Sequence, residues 1–196
     1  MKKISMCLVL ALIISGSLYA GNIVGKVKAI GVRNSADAVV YIDKIPSKQF
    51  APPKKHAEFN QQNLMFHPHI LPILVGTTVD FLNSDDVLHN VFSPDPCADK
   101  FNLGTWPKGQ IRTYTFKQPD CRAVILCNVH PEMEAYVVVV ETPYFAVTDK
   151  GGNYEIKDVP PGKYTLKIWH EKLKGEAVSV EVPAKGNATV NFEIKR

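Results

Sequence analysis

The sequence predicts an all-β protein of two β-sandwiches, and three observations predict it. No long window places apolar residues at the 3.6-residue helical period. Short runs rich in Val, Ile, Phe, Tyr and Thr recur along the chain instead. Gly, Pro, Asn and Asp break those runs, as the turns of antiparallel sheets require.

Residues 1–20 come first and are expected to lie outside the fold. Met1-Lys2-Lys3 is a basic start, residues 4–14 are mostly apolar, and small residues precede Gly21. This is the layout of a secretory signal peptide cleaved after Ala20, which implies a periplasmic protein. The apolar stretch is too short to span a bilayer comfortably. No second long one follows, so no membrane anchor is expected after cleavage. Cys7 has no apolar region before it and makes a poor lipid-attachment site. Cleavage leaves 176 residues, enough for one large domain or two small ones. Loss of Lys2 and Lys3 lowers the formal charge from +4 to +2, too mild a balance for a nucleic-acid binder.

Strands are then expected at residues 23–27 and 38–42. Residues 44–55 hold three prolines and four lysines and read as a linker. Further strands follow at 58–66, 69–75, 78–82, 89–92, 110–116, 123–127 and 135–140. Glu141-Thr142-Pro143 ends a strongly apolar run and marks a second boundary. Asp149-Lys150-Gly151-Gly152 and Val159-Pro160-Pro161-Gly162 are turns of a smaller module. Its strands are expected at 154–156, 163–170, 178–182 and 188–194.

The larger block carries a metal-ligand pattern. Cys127, His130 and Met133 lie within seven residues, in the run CNVHPEM, between two apolar strands. His89, in NSDDVLHNVFS, supplies a second imidazole from another segment. Two imidazoles, a thiolate and a thioether suit one copper ion, the trigonal His₂Cys plane with a weak axial Met being an electron-transfer arrangement. Cys127 would bind as thiolate, His89 and His130 as neutral imidazoles, and Met133 as the weak axial donor. Asn90 is the candidate for tying the two ligand segments together. Zinc fits less well, because Met is a poor zinc ligand and structural zinc takes four Cys or His donors.

Three cysteines remain after cleavage. If Cys127 binds metal, Cys97 and Cys121 are left to pair in an oxidising compartment. Cys121 and Cys127, on one extended strand, would stand about 20 Å apart, beyond disulfide reach.

The larger block resembles the cupredoxins. Val79-Asp80-Phe81-Leu82-Asn83, the pair His89-Asn90 and the short Cys–His–Met loop are similar to plastocyanin and, in loop length, to amicyanin. The resemblance covers residues 56–141 and implies a Greek-key sandwich. The Cys97/Cys121 pair departs from that pattern. Phe101–Gly104, the ligand loop and residues 142–170 together resemble a bacterial periplasmic group labelled methylamine utilisation protein, which implies an electron-transfer context. Residues 146–170 resemble the transthyretin-like sandwiches of carboxypeptidase regulatory domains. Such modules begin with a Gly-x-Val and an Ala-x-Val-Val strand, and residues 22–27 and 36–40 have that form. A discontinuous small domain, 21–48 with 142–196, is therefore expected, with the cupredoxin block inserted. The alternative is two domains in sequence.

Phe66-His67-Pro68-His69 places two histidines in alternation on one expected strand, with no evident third ligand for a second metal. His56 reads as a linker residue, His170 as structural, and Asp85-Asp86 as a polar turn. No nucleophile–base pair, phosphate loop or paired-carboxylate signature points to an enzyme. The expected function is single-electron transfer between periplasmic redox proteins, with a c-type cytochrome or a dehydrogenase as partner. A copper carrier or storage protein, and a non-catalytic β-sandwich binding module, are the alternatives.

Overall fold

A computed structural model of the chain describes residues 20–196. The expected signal peptide, apart from Ala20, lies outside the described residues. The order of elements is β1 (Gly21–Ala29), β2 (Val39–Ile42), β3 (Ala57–Gln62), β4 (Met65–His67), β5 (Ile70–Leu74), β6 (Thr78–Asn83), β7 (His89–Phe92), β8 (Asn102–Trp106) and β9 (Ile111–Thr115). It continues with β10 (Arg122–Leu126), β11 (Glu134–Val140), β12 (Phe145–Val147), β13 (Asn153–Val159), β14 (Gly162–Trp169), β15 (Val178–Val182), β16 (Asn187–Thr189) and β17 (Phe192–Ile194). One short 3₁₀ turn, Pro96–Ala98, precedes β8. Among the described residues no helix is long and apolar enough to cross a membrane.

The strands form two pairs of facing sheets. In the larger sandwich, β4-β3-β6-β9 faces β5-β11-β10-β7-β8. Phe59, Phe81, Phe116, Trp106, Ile125 and Val137 fill the space between them. In the smaller, β12-β2-β14-β15 faces β13-β1-β16, with β17 pairing the far half of β1. Ile23, Val40, Ile42, Ile156, Leu166 and Ile194 fill that core. The two N-terminal strands thus pair with C-terminal ones, and β3 to β11 lie between the halves of the smaller sandwich in sequence. Gly25 permits one close approach there, since a Cβ on it would run into the Val190 carbonyl.

A third apolar cluster joins the sandwiches. Val39 and Tyr41 of β2 meet Ile70, Val138 and Val140, with Tyr136, Phe145 and Trp169 at the edges. β11 therefore buries both faces: Val137 and Val139 enter the larger core, Val138 and Val140 the seam. That is why its sequence is a continuous apolar run and does not alternate. Each fully buried valine contributes about 1.5–3 kcal/mol. The Arg122 guanidinium adds a polar tie, donating to the Tyr41 hydroxyl at 2.7 Å.

Three strand expectations need correction. Residues 58–66 form a hairpin, β3 and β4, about Asn63 and Leu64, both at positive φ. A two-residue turn of this kind normally signals itself with Asn-Gly, and here leucine stands in the second place. His67 ends β4, whereas His69 lies in the bend just before β5, a strand of the facing sheet, so the two histidines do not share one strand. Residues 188–194 are two short strands, β16 and β17, both parallel to β1.

Candidate metal centre

The ligand segments meet at one end of the larger sandwich. His89 opens β7, and Cys127 follows directly on β10, the strand hydrogen-bonded to β7. The loop from Cys127 to Met133 then turns back into β11. It is closed by the Met133 N–H donating to the His130 carbonyl at 3.0 Å. His89 and Met133 are fully buried, Cys127 is 3% exposed, and His130 is half-buried.

Three donor atoms converge. The Nδ1 atoms of His89 and His130 are 3.1 Å apart, and the Cys127 Sγ lies 4.0 Å from the first and 3.9 Å from the second. A point equidistant from all three is about 2.1 Å from each, inside the ~2.0–2.3 Å of transition-metal bonds to imidazole and thiolate. The triangle is thus already the size of a three-coordinate metal plane. Met133 is buried in the same core cluster as Cys127, at the end of the ligand loop. The donor set fits copper better than zinc on chemical grounds: one soft thiolate and two imidazoles converge, and the Met133 thioether lies in the same core cluster as the thiolate.

The surrounding hydrogen bonds orient these donors. His89 Nε2 faces the Asp85 carboxylate at 2.9 Å. A carboxylate only accepts, so Nε2 carries the proton and the Nδ1 lone pair points into the triangle. Asp85 also accepts the Asn63 and Leu64 N–H groups, at 2.7 and 3.0 Å, and so fastens the β3–β4 turn to the site. Burial pushes the Asp85 carboxyl up, but the Leu64 N–H, the His89 ring and the Asn63 N–H together hold it below the usual carboxylate range.

Asn90 links three segments. Its Oδ1 accepts the Asn128 N–H at 3.2 Å, and its Nδ2 donates to Asn102 Oδ1 and the Gly104 carbonyl, at 2.9 and 2.7 Å. Its backbone N–H donates to Cys127 Sγ at 3.4 Å. That last bond supports negative charge on the sulfur from the protein side. At the other end of β10, Cys121 is joined to Cys97, 24 residues away in sequence. Val87, Leu88 and Val129, next to the histidines in sequence, are each close to half exposed.

Asp85 is the residue that the sequence reading missed. Its only signal was the four-residue spacing to His89, which in a loop has no regular geometry behind it. His56, expected in a linker, pairs with Asp80 at 2.7 Å. His69 lies 3.4 Å from Glu171 of the smaller sandwich. A separate cluster of three carboxylates, Asp43, Asp120 and Glu141, is partly offset by Lys167 on Asp43 and Arg122 on Asp120.

Comparison with known proteins gives partial likenesses. Residues 130–195 match the carboxypeptidase regulatory-like domain family. That range starts inside the larger sandwich, since β11 pairs with β5 and β10. Among solved structures, a copper-containing nitrite reductase from Thermus scotoductus SA-01 is 25% identical, over 52% of this chain and 25% of its own, with a TM-score of 0.40. A purple cupredoxin from Nitrosopumilus maritimus is 26% identical, over 42% of this chain and 98% of its own, with a TM-score of 0.38. The Cu(I) form of an amicyanin variant is 24% identical, over 53% of this chain and 98% of its own, with a TM-score of 0.41. The chain thus spans a quarter of the nitrite reductase it resembles. No curated protein matches the chain.

Proposed function

We propose that this is an exported, cupredoxin-like single-electron carrier that holds one copper ion at His89, Cys127, His130 and Met133. The observation that carries the proposal is the His₂Cys triangle, whose centre stands about 2.1 Å from all three donors. Bound copper would supply a one-electron couple between Cu(II) and Cu(I). The chain's own part is to fix the donors. Asp85 and Asn90 anchor His89 and the ligand loop before any metal arrives, so few atoms need to move when charge changes. With Met133 as fourth donor no position is left for a substrate, which favours a relay over a catalyst. The half-buried His130 ring, the most accessible of the three converging donors, is the proposed exit for the electron. The proposed partner is a periplasmic redox protein such as a c-type cytochrome or a dehydrogenase.

The test is the visible spectrum of the Cu(II)-loaded protein. A strong thiolate-to-copper charge-transfer band is expected, and Cys127→Ser should abolish it with the fold intact. Copper binding without that band, or a band that survives Cys127→Ser, would overturn the proposal.

A further inference from the structure

His89, Cys127 and Met133 are shut off from solvent, so an ion needs a route to them. Besides the His130 edge, an approach from the side of β4 stands open. A cavity of about 300 Å³ reaches Met133 from the side of β4, and Met65, His67, His69, Glu132 and Glu134 line it. Met65 and His67 share the outer face of β4, while Phe66 between them enters the core. Met65 is 52% exposed, which packing does not explain.

His67 presents one ring nitrogen without a hydrogen-bond partner in the hairpin. Its Nε2 meets the Gln62 carbonyl at 3.2 Å. A carbonyl only accepts, so Nε2 holds the proton and Nδ1 keeps a free lone pair. His89 is poised in the same way against Asp85. The hairpin that carries Met65 and His67 is fastened to the metal centre by Asp85, through the Asn63 and Leu64 amides. Glu132 is exposed at the cavity and adds negative charge there. His69 is tethered toward Glu171 and lines the wall.

We propose that Met65 and His67 form a transient Cu(I) acquisition site, from which the ion passes along the cavity to Met133 and on to the buried triangle. This rests on the copper reading of the main centre. A thioether and an imidazole are neutral donors suited to Cu(I). Each step exchanges one lone-pair donor for another at an unchanged oxidation state, and Cys127 releases its thiol proton to solvent when it binds.

The test uses the mature chain in its apo form, loaded anaerobically from a coloured Cu(I)–bicinchoninate complex and followed by loss of that colour. The double variant Met65→Leu/His67→Gln should load several-fold more slowly than wild type, reach the same copper content and, once oxidised, show the same thiolate band. In a Cys127→Ser background, Ag(I) as a probe should shift the Met65 methyl and His67 ring NMR signals at the first additions. Wild-type loading by the double variant, or Ag(I) that leaves both signals unmoved, overturns the inference while the main centre stands. Absence of the thiolate band from the wild-type protein removes the copper reading and this inference with it.

Discussion

Replacing Asp85 with alanine tests how the metal centre is held. One carboxylate serves two turn amides and the His89 Nε2–H. Hydrogen bonds to a charged group are worth about 1.5–3 kcal/mol each, and a buried donor left without a partner costs about 1–3 kcal/mol. Asn63 and Leu64 are exposed, so water replaces most of what the turn loses. His89 is 0% exposed and has no such recourse. The Asp85→Ala variant should therefore lose about 2–4 kcal/mol of stability and bind copper about 10–100-fold more weakly. Urea unfolding of the apo-protein measures the first, with an unchanged m-value as the check that the denatured state is the same. Chelator competition measures the second. Asp86→Ala is the control, because its carboxylate is 88% exposed and pairs only with exposed Lys108. If Asp85→Ala behaves like Asp86→Ala in both assays, the proposed anchoring of His89 is wrong.

Two further outcomes follow from other parts of the chain. Cys97→Ser/Cys121→Ser opens a 24-residue loop and should cost roughly 3 kcal/mol in the chain-entropy account, with no change in the visible spectrum; a changed spectrum would show that the disulfide shapes the site. His170 is expected to make stability pH-dependent. Burial lowers its affinity for a proton, against the opposing pull of Glu171 and Asp37, while Lys172 and His69 act with burial. Its neutral Nδ1 also accepts the Lys172 N–H at 3.0 Å. Because the folded value lies below the unfolded one, the unfolded chain takes up the proton first. The contribution is complete above about pH 6.5 and declines as the pH drops below it. His170→Gln should flatten unfolding midpoints measured from pH 7.5 to 5.5, and an unaltered slope would exclude His170 as the source.

Much of this architecture is written in local pattern. The alternation in Thr78–Asn83, the branched residues of Val178–Val182 and the Gly-rich and Pro-rich turns of the smaller sandwich carry enough local information to place strands. β8 does not: Gly104 sits at positive φ within it, most of its side chains face solvent, and its pairing with β7 shifts register. β12, three residues long with no buried side chain, is equally hard to read. The β3–β4 turn lacks the expected Asn-Gly and depends on Asp85, a tertiary partner that no local pattern announces. The proposed ligands stand out in the sequence because Cys, His and Met at close spacing have few structural explanations. The Asp85 role does not, since an aspartate in a loop is ordinary until the fold shows which nitrogen it faces.

X-ray absorption at the copper edge of the loaded protein bears most directly on the central claim. The account predicts two imidazole nitrogens and one short sulfur bond, all within ~2.0–2.3 Å, with the sulfur shell lost in Cys127→Ser. A first shell of nitrogen and oxygen alone would contradict it.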